Sequence, residues 1–432
     1  MRLQSTQHQS PEIGFQEAIF RGLPPDNGLY MPTEIPMLSA SFWQYCDQLT
    51  FQEIASAMAI SLLQGSIPEK DMRKLIMEAM DFSAPAVKLN PDLYCLELFH
   101  GPSMAFKDFG ARFMAATMSY FLQQSGETLN IVVATSGDTG GAVAQGFYGV
   151  PGISVTILYP KGKVSKVQEQ QLTTLGGNIR ALEIEGTFDD CQALVKQAFL
   201  DEDLRQKYRL ASANSINIAR LIPQSFYYAY AYAQLKHLWK DVVFSVPSGN
   251  FGNLTAGVLA MKMGMPVARF IAATNVNRVV PAYLETGIYT PISPSIPTLS
   301  NAMDVGNPSN FPRLLSLFGG DREKMQAKIK GFSFTDEETR AGVKELYDTY
   351  GYLACPHTAV AYLGLKADRL DADQVGVFLS TAHYGKFLPE MENILGFSPE
   401  LPERLQLNGE KNATELAADY LLFKKELSTH LI

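Results

Sequence analysis

The chain has no cationic surplus: 36 Lys and Arg face 44 Asp and Glu, for a net charge of −8 over 432 residues. A nucleic-acid backbone or an anionic membrane calls for the opposite balance, so neither is expected as a partner. A small anion is still admitted, because a few local cations suffice to hold it. Cysteine is scarce. Cys46, Cys95, Cys191 and Cys355 stand far apart and form no C-x-x-C pair, which argues against a disulfide framework and for free thiols in a reducing compartment. Six scattered histidines give no H-E-x-x-H and no zinc spacing, so no metal is expected. The opening MRLQSTQHQSPEIGF lacks a basic n-region and an apolar core, and is not read as a secretory signal. No uncharged apolar run approaches the ~20 residues that span a bilayer. A G-x-S-x-G elbow, a phosphate-binding P-loop and a G-x-G-x-x-G fingerprint are all missing, which weakens serine-hydrolase and nucleotide-binding readings. These absences together predict a soluble cytoplasmic protein.

What is present is material for two or three domains. Residues 1–90 read as a separate, mainly helical lead, with helical spacing of apolar residues over 15–23 and 51–65 and a turn-rich stretch at 23–36. From 129 onward strands and helices alternate. Strands are predicted at 129–135, 153–160 and 178–186, with helices at 138–149, 163–176 and 189–201. A long buried helix follows at 216–239, then a strand at 241–249, a helix at 253–264 and a strand at 267–275. Helices at about 335–350 and 357–368 precede a last strand at 374–381. Such alternation predicts parallel strands with crossover helices. Residues 289–313 carry many Pro, Ser and Asn and no periodicity, as a lid or a site wall does. Residues 91–400 are expected to form the catalytic region and 401–432 a helical tail.

Three segments carry chemistry. HGPSMAFKDFGARF (100–113) sets Lys107 among Phe99, Phe106, Phe109 and Phe113. A lysine so framed is expected to be desolvated, which favours its neutral amine and a Schiff base. The alternative is a surface lysine paired with Asp108. ATSGDTGGA (134–142) lies where a strand gives way to a helix, with the hydroxyls of Thr135, Ser136 and Thr139. It is either an anion site on unpaired N–H groups or a tight turn capped by Asp138. PSGNFGN (247–253) repeats that logic: Gly249 and Gly252 let the backbone curl, and Asn250 and Asn253 add donors around Phe251. Both loops are expected at the carboxyl ends of strands, where ligands gather in such sheets. A lysine and two anion loops together suggest pyridoxal phosphate (PLP) chemistry.

Further along, ANSINIARLIPQ (213–224) places Asn214, Ser215, Asn217 and Arg220 around a helix start, suited to an oxyanion or to plain capping. Lys161 and Lys163 on a strand–helix loop read as solvated charges. STAHYGKF (380–387) ends the last strand, where Thr381 could bond a pyridine nitrogen and His383 and Lys386 could touch substrate.

HGPSMAFKDFG, ATSGDTGGA, ANSINIAR, PSGNFGN and STAHYGKF, in that order and after the lead GFQEAIFRGLPPDNGLYMPTEIP, resemble the threonine synthase family in its longer bacterial and fungal form. The resemblance covers nearly the whole chain. It implies two α/β domains of the tryptophan-synthase-β-like, fold-type II PLP class, with the cofactor in the cleft between them. It implies that Lys107 carries PLP, that Gly249, Asn250, Phe251, Gly252 and Asn253 hold the cofactor phosphate, and that Thr381 faces the ring nitrogen. Thr135, Ser136 and Thr139 would lie near the substrate carboxylate. Asn214, Ser215 and Arg220, with Asn253 and Lys161, would hold the substrate phosphate. Many relatives on this fold have Asn at position 138, where it bonds the cofactor's phenolic oxygen. An ionised Asp138 would repel that oxygen, so either a proton is shared or Asp138 points elsewhere.

The implied reaction turns O-phospho-L-homoserine and water into L-threonine and phosphate, in a monomer or homodimer. The nearest competing reading is another PLP lyase of this fold, a serine/threonine dehydratase or a β-replacing synthase. ANSINIAR and the long lead argue against it. A phosphometabolite-binding protein with a silent site is the second alternative, opposed by the intact Lys107.

Overall fold

In the computed structural model, which describes residues 1–406 and 409–432, the strands form two mainly parallel sheets and one small antiparallel one. The first sheet has five strands in the order Ala413–Ala417, Ile179–Glu185, Ile153–Pro160, Leu129–Ala134 and Leu210–Ala211, all parallel. The second has six, in the order Ile329–Ser333, Arg269–Thr274, Asp241–Pro247, Gln374–Ser380, Leu93–Glu97 and Ala86–Asn90. Only Ala86–Asn90 runs antiparallel there. The central strands are buried along their whole length, as sheets covered by helices on both faces require. The chain adopts the parallel α/β arrangement expected from the alternation, in the two units that the resemblance implies.

Several expectations change in detail. The lead is not only helical: Arg2–Ser5, Ile13–Gly14 and Tyr30–Pro32 form a three-stranded antiparallel sheet. Phe15 and Phe20 pack on Phe121, so the lead shares its core with the catalytic region. The expected helix over 216–239 is broken into Ile218–Leu221, Gln224–Leu235 and a short 3-10 turn, Lys236–Leu238. The first break falls at Pro223, which has no N–H to continue the ladder. The tail contributes an edge strand, Ala413–Ala417, beside its helix Tyr420–Ser428. Residues 407–408 of that tail lie outside the described residues. Apart from the short 3-10 turn Asn301–Met303 and the start of helix Phe311–Leu317, the stretch 289–313 is irregular, as read, and it is firmly tied down. Asn275 Nδ2 donates to Thr298, Ser300 and Asp304, and Ser309 donates to Asn250 Oδ1.

Two of the strands matter most for function. Asp241–Pro247 runs directly into the Gly249–Asn253 loop and the helix Gly252–Lys262. Gln374–Ser380 ends at Thr381, whose carbonyl accepts the Phe106 N–H at 2.8 Å. An isolated bridge between Ala105 and Ala382 fixes the same approach. Lys107, the first residue of helix Lys107–Ser125, is thereby set against the end of that strand.

Candidate active site

One cavity is lined by Lys107, Asp138, Thr139, Ser215, Arg220, the whole of Gly249–Asn253, His357 and Thr381. Three of the five motifs meet there through loops that follow strands at their carboxyl ends, and the other two through the starts of the helices Lys107–Ser125 and Ile218–Leu221. Its wall is closed by Ala302 and Met303 from the 289–313 stretch.

The Lys107 amine makes no hydrogen bond or ion pair among the described residues. Burial pulls it down to about 8; the Asp138 carboxylate opposes that shift, while Arg220 and Lys386 add to it. The pairing with Asp108 that a surface lysine would make is absent. Asp108 Oδ2 instead accepts the Ser103 N–H at 2.9 Å, and burial raises its carboxyl to about 6. The aromatic frame is narrower than expected, since only Phe106 lines the cavity. Phe109 and Phe113 turn into the core against Tyr227 and Phe226, and Phe99 packs on His383. Desolvation of Lys107 therefore comes from the enclosing loops rather than from a ring of phenylalanines.

The Gly249–Asn253 loop is built for an anion. A side chain at Gly249 would meet Met303 Cα at 2.9 Å and Ala302 O at 3.0 Å, so the backbone itself faces the cavity. Phe251 takes the left-handed conformation, φ 62°, to turn the chain into the helix. Asn253 Oδ1 accepts the hydroxyls of Tyr227 and Tyr228 at 2.6 and 2.7 Å, which leaves its Nδ2 buried with no partner. Arg220, 2% exposed, makes no salt bridge among the described residues; its Nη1 donates to Ala213 O, and its Nε is unpaired. Burial lowers its guanidinium to about 10, so it stays charged at neutral pH. Orphaned donors beside a glycine-lined loop at a helix start fit a cofactor phosphate, and a buried unpaired cation fits a second anion.

Not every expected residue reaches the cavity. Thr135 is spent inside its own loop, where Oγ1 accepts the N–H groups of Gly137 and Gly140 at 3.0 and 2.8 Å. Ser136 is exposed and lines no part of the cavity, leaving Thr139 from that set. Asn214 lines a separate groove with Arg21 and Leu200, one residue away from Ser215. Lys161 is half-exposed and donates to Glu415 of the tail strand at 2.6 Å, so it is not a site cation. Lys386 is no substrate contact either: it is fully buried on Asp138 at 2.7 Å. Asp138 itself lines the cavity as an anion: in spite of its burial, Lys386 and Lys107 hold it well below the usual carboxylate range.

Two residues escaped the sequence reading. His357, at the start of helix Pro356–Asp368, accepts the Ala302 N–H on Nε2 at 3.2 Å, and burial lowers its imidazole to about 4. Pro356 at the helix start was a boundary signal, but nothing pointed the ring into a cavity. Arg313 is wholly buried and donates to Tyr30 O, Asn310 Oδ1 and Ile216 O, which joins the lead, the cavity wall and the Ser215 loop.

The two α/β sheets, with a lysine and a glycine-containing loop lining one cavity, define the class, a fold-type II PLP-dependent enzyme. Residues 80–381 match the family described as pyridoxal-phosphate dependent enzyme, and residues 2–80 match the threonine synthase N terminus. The chain is 43% identical to the threonine synthase of Escherichia coli (strain K12) over 433 residues, covering 100% of both. It is 46% identical to that of Haemophilus influenzae over 406 residues, 94% of each. The solved E. coli threonine synthase superposes with a TM-score of 0.91 over 100% of both chains. The PLP-bound threonine synthase of Brucella melitensis gives 0.93 at 34% identity, over 100% of this chain and 99% of that one. The chain belongs to the threonine synthase family. Its cofactor is pyridoxal phosphate and it is a lyase of amino-acid biosynthesis, a reading favoured over a dehydratase or a β-replacing synthase on the same fold.

Proposed function

We propose that the substrate is O-phospho-L-homoserine, converted with water to L-threonine and phosphate, and that Lys107 is the residue that carries PLP. The observation that supports this most is the pairing of two features in one cavity: a lysine amine with no hydrogen-bond or ion-pair partner among the described residues, held at about 8, and a buried Arg220 that has no salt-bridge partner among them and an unpaired Nε. The first suits an amine that must give up and take up protons at neutral pH. The second suits an anion, and the substrate carries a phosphate in addition to the cofactor's.

In this reading the amides of Gly249–Asn253 and the free Nδ2 of Asn253 hold the cofactor phosphate, and Thr381 faces the ring nitrogen. Thr139 lies near the substrate carboxylate. Ser215 and Arg220 hold the substrate phosphate and stabilise its departure by hydrogen bonds that strengthen as charge develops. When bound, PLP supplies an electron sink for the negative charge left at Cα. Lys107 Nζ takes the Cα proton and returns it. The 289–313 stretch is the candidate lid, since Ala302 and Met303 wall the cavity and a moving wall would exclude water before phosphate leaves.

We also propose the division into a lead (1–90), a catalytic region (91–400) and a tail (401–432), a monomeric or homodimeric assembly, and a cytoplasmic location. Four buried free cysteines are consistent with a reducing compartment, and no described helix is long and apolar enough to cross a membrane.

Two measurements test the proposal. Phosphohomoserine should release phosphate and threonine in equal amounts, whereas serine should give little pyruvate; the reverse pattern would sink the substrate assignment. Borohydride treatment of the loaded enzyme followed by peptide mass mapping should place the pyridoxyl label on Lys107.

A further inference from the structure

Lys386 and Asp138 belong to opposite sides of the cleft. Asp138 opens the helix after strand Leu129–Ala134, and Lys386 sits in the short turn Tyr384–Phe387 after strand Gln374–Ser380. Their side chains are 6% and 0% exposed, and they meet at 2.7 Å. Lys386 Nζ also donates to Ser103 O at 2.9 Å, in the loop leading to Lys107. Asp138 Oδ1 accepts a second hydrogen bond from Gln168 Nε2 at 3.1 Å. Gln168 is itself locked, because its Oε1 accepts the Ser165 N–H in a capping box and a side chain on Gly137 would meet its amide at 2.6 Å. The wall around Asp138 is therefore rigid and donor-rich on one side, with the cavity on the other.

We propose that Lys386 is a positioning residue for Lys107: it fixes the Asp138 carboxylate against the cavity and offsets part of its charge, and this held anion sets the pH at which the Lys107 amine becomes free. The inference rests on the reading of Lys107 as the lysine that carries the cofactor. Asp138 and Lys386 form a close pair, and the carboxylate has a second supporting cation in Lys107, so its charge does not depend on Lys386 alone. Paired, they present Lys107 with an anion whose influence exceeds that of the cation behind it. The other ionisable groups around them are Arg220 and His357 in the cavity, Cys355 beside His357, and Asp108 beneath Ser103. His357 is neutral above about 4 and the Cys355 thiol is raised by burial, so neither carries charge at neutral pH. Burial raises the Asp108 carboxyl to about 6, so it is ionised at the pH where Lys107 titrates.

The test reads the midpoint for acetylation of Lys107 in the full-length protein freed of PLP, by peptide mass spectrometry across pH, since only the neutral amine reacts. The wild-type midpoint is expected near about 8. Lys386→Met leaves Asp138 facing Lys107 alone and should raise the midpoint by roughly one pH unit; Asp138→Asn leaves Lys386 uncompensated and should lower it by roughly one unit. Lys386→Arg should stay near wild type, and the Asp138→Asn/Lys386→Met double variant should move back toward it. The visible band of the loaded enzyme should titrate in the same order. Opposite shifts are not what a merely structural pair produces. If Lys386→Met fails to fold, the Asp138→Asn variant and the double variant still decide. Midpoints that coincide, or that move the same way in both single variants, overturn the inference. A borohydride label found on a residue other than Lys107 would instead overturn the reading beneath it, without altering these midpoints.

Discussion

Asn253 accepts hydroxyl hydrogens from Tyr227 and Tyr228 on a single oxygen, which leaves its amide nitrogen buried and unpartnered in a residue that lines the cavity. A carboxamide has two faces, and the tyrosines choose which one the cavity meets. Replacing both, as Tyr227→Phe/Tyr228→Phe, removes that choice and strands a buried carbonyl. PLP affinity, followed by titration of the visible band, should fall about tenfold, or ~1.4 kcal/mol. Folding stability should drop by about 1–3 kcal/mol for the stranded acceptor.

Lys107→Ala should eliminate the visible cofactor band and reduce turnover at least ~10²-fold, the lower bound for losing a positioned acid–base group. Circular dichroism should stay unchanged, because the Lys107 amine holds no other element in place among the described residues. Normal turnover in this variant would remove Lys107 from the chemistry.

Arg220→Met separates binding from stability. The guanidinium is buried with no carboxylate, which costs the empty protein desolvation energy. The melting temperature of the cofactor-free variant should therefore hold or rise. The KM for phosphohomoserine should climb about 10- to 100-fold, the worth of a charge-assisted hydrogen bond of ~1.5–3 kcal/mol. A large fall in melting temperature with an unchanged KM would assign Arg220 to structure instead.

Acid should destabilise the fold through its buried histidines. Burial lowers both His357 and His383 to about 4 from the ordinary 6.5. The unfolded chain binds their protons first as pH falls, so stability is fully present above about 6.5 and is lost progressively down to about 4. Each lost increment is on the order of 3 kcal/mol. Urea melts at pH 7 and pH 4.5 should show the loss, and His357→Gln should reduce the difference.

Gly249→Ala should be far worse than an ordinary glycine substitution. Its methyl group would collide with backbone at Met303 and Ala302, neither of which is a side chain able to swing aside. PLP binding should weaken at least tenfold, with thermal unfolding lowered by several degrees. A variant that binds PLP normally would show that the wall at 302–303 yields.

Much of the fold can be read along the chain because its signals are local. Residues 153–160 (ISVTILYP) are rich in β-branched and aromatic residues, start after the Pro151-Gly152 turn and end on Pro160, and the strand Ile153–Pro160 has those bounds. Lys107 and the Gly249–Asn253 loop read as chemistry because each departs from what its local element needs, whereas Thr381 and Arg220 take their expected roles from the family resemblance. The lead's small sheet was not legible, since strands of two to four residues are too short to show a period.

By itself the sequence determined the order of strands and helices, the anion loops and the lysine between them, because backbone propensity and turn chemistry act over a few neighbouring residues. The tertiary structure alone decided which of those groups face one another. Asp138 and Lys386 lie 248 positions apart yet share a proton-holding pair, while Lys161 and Asn214, equally plausible on paper, turn to the tail strand and to another groove. Side-chain direction at a strand end depends on what packs behind it, and that neighbour comes from a distant part of the chain.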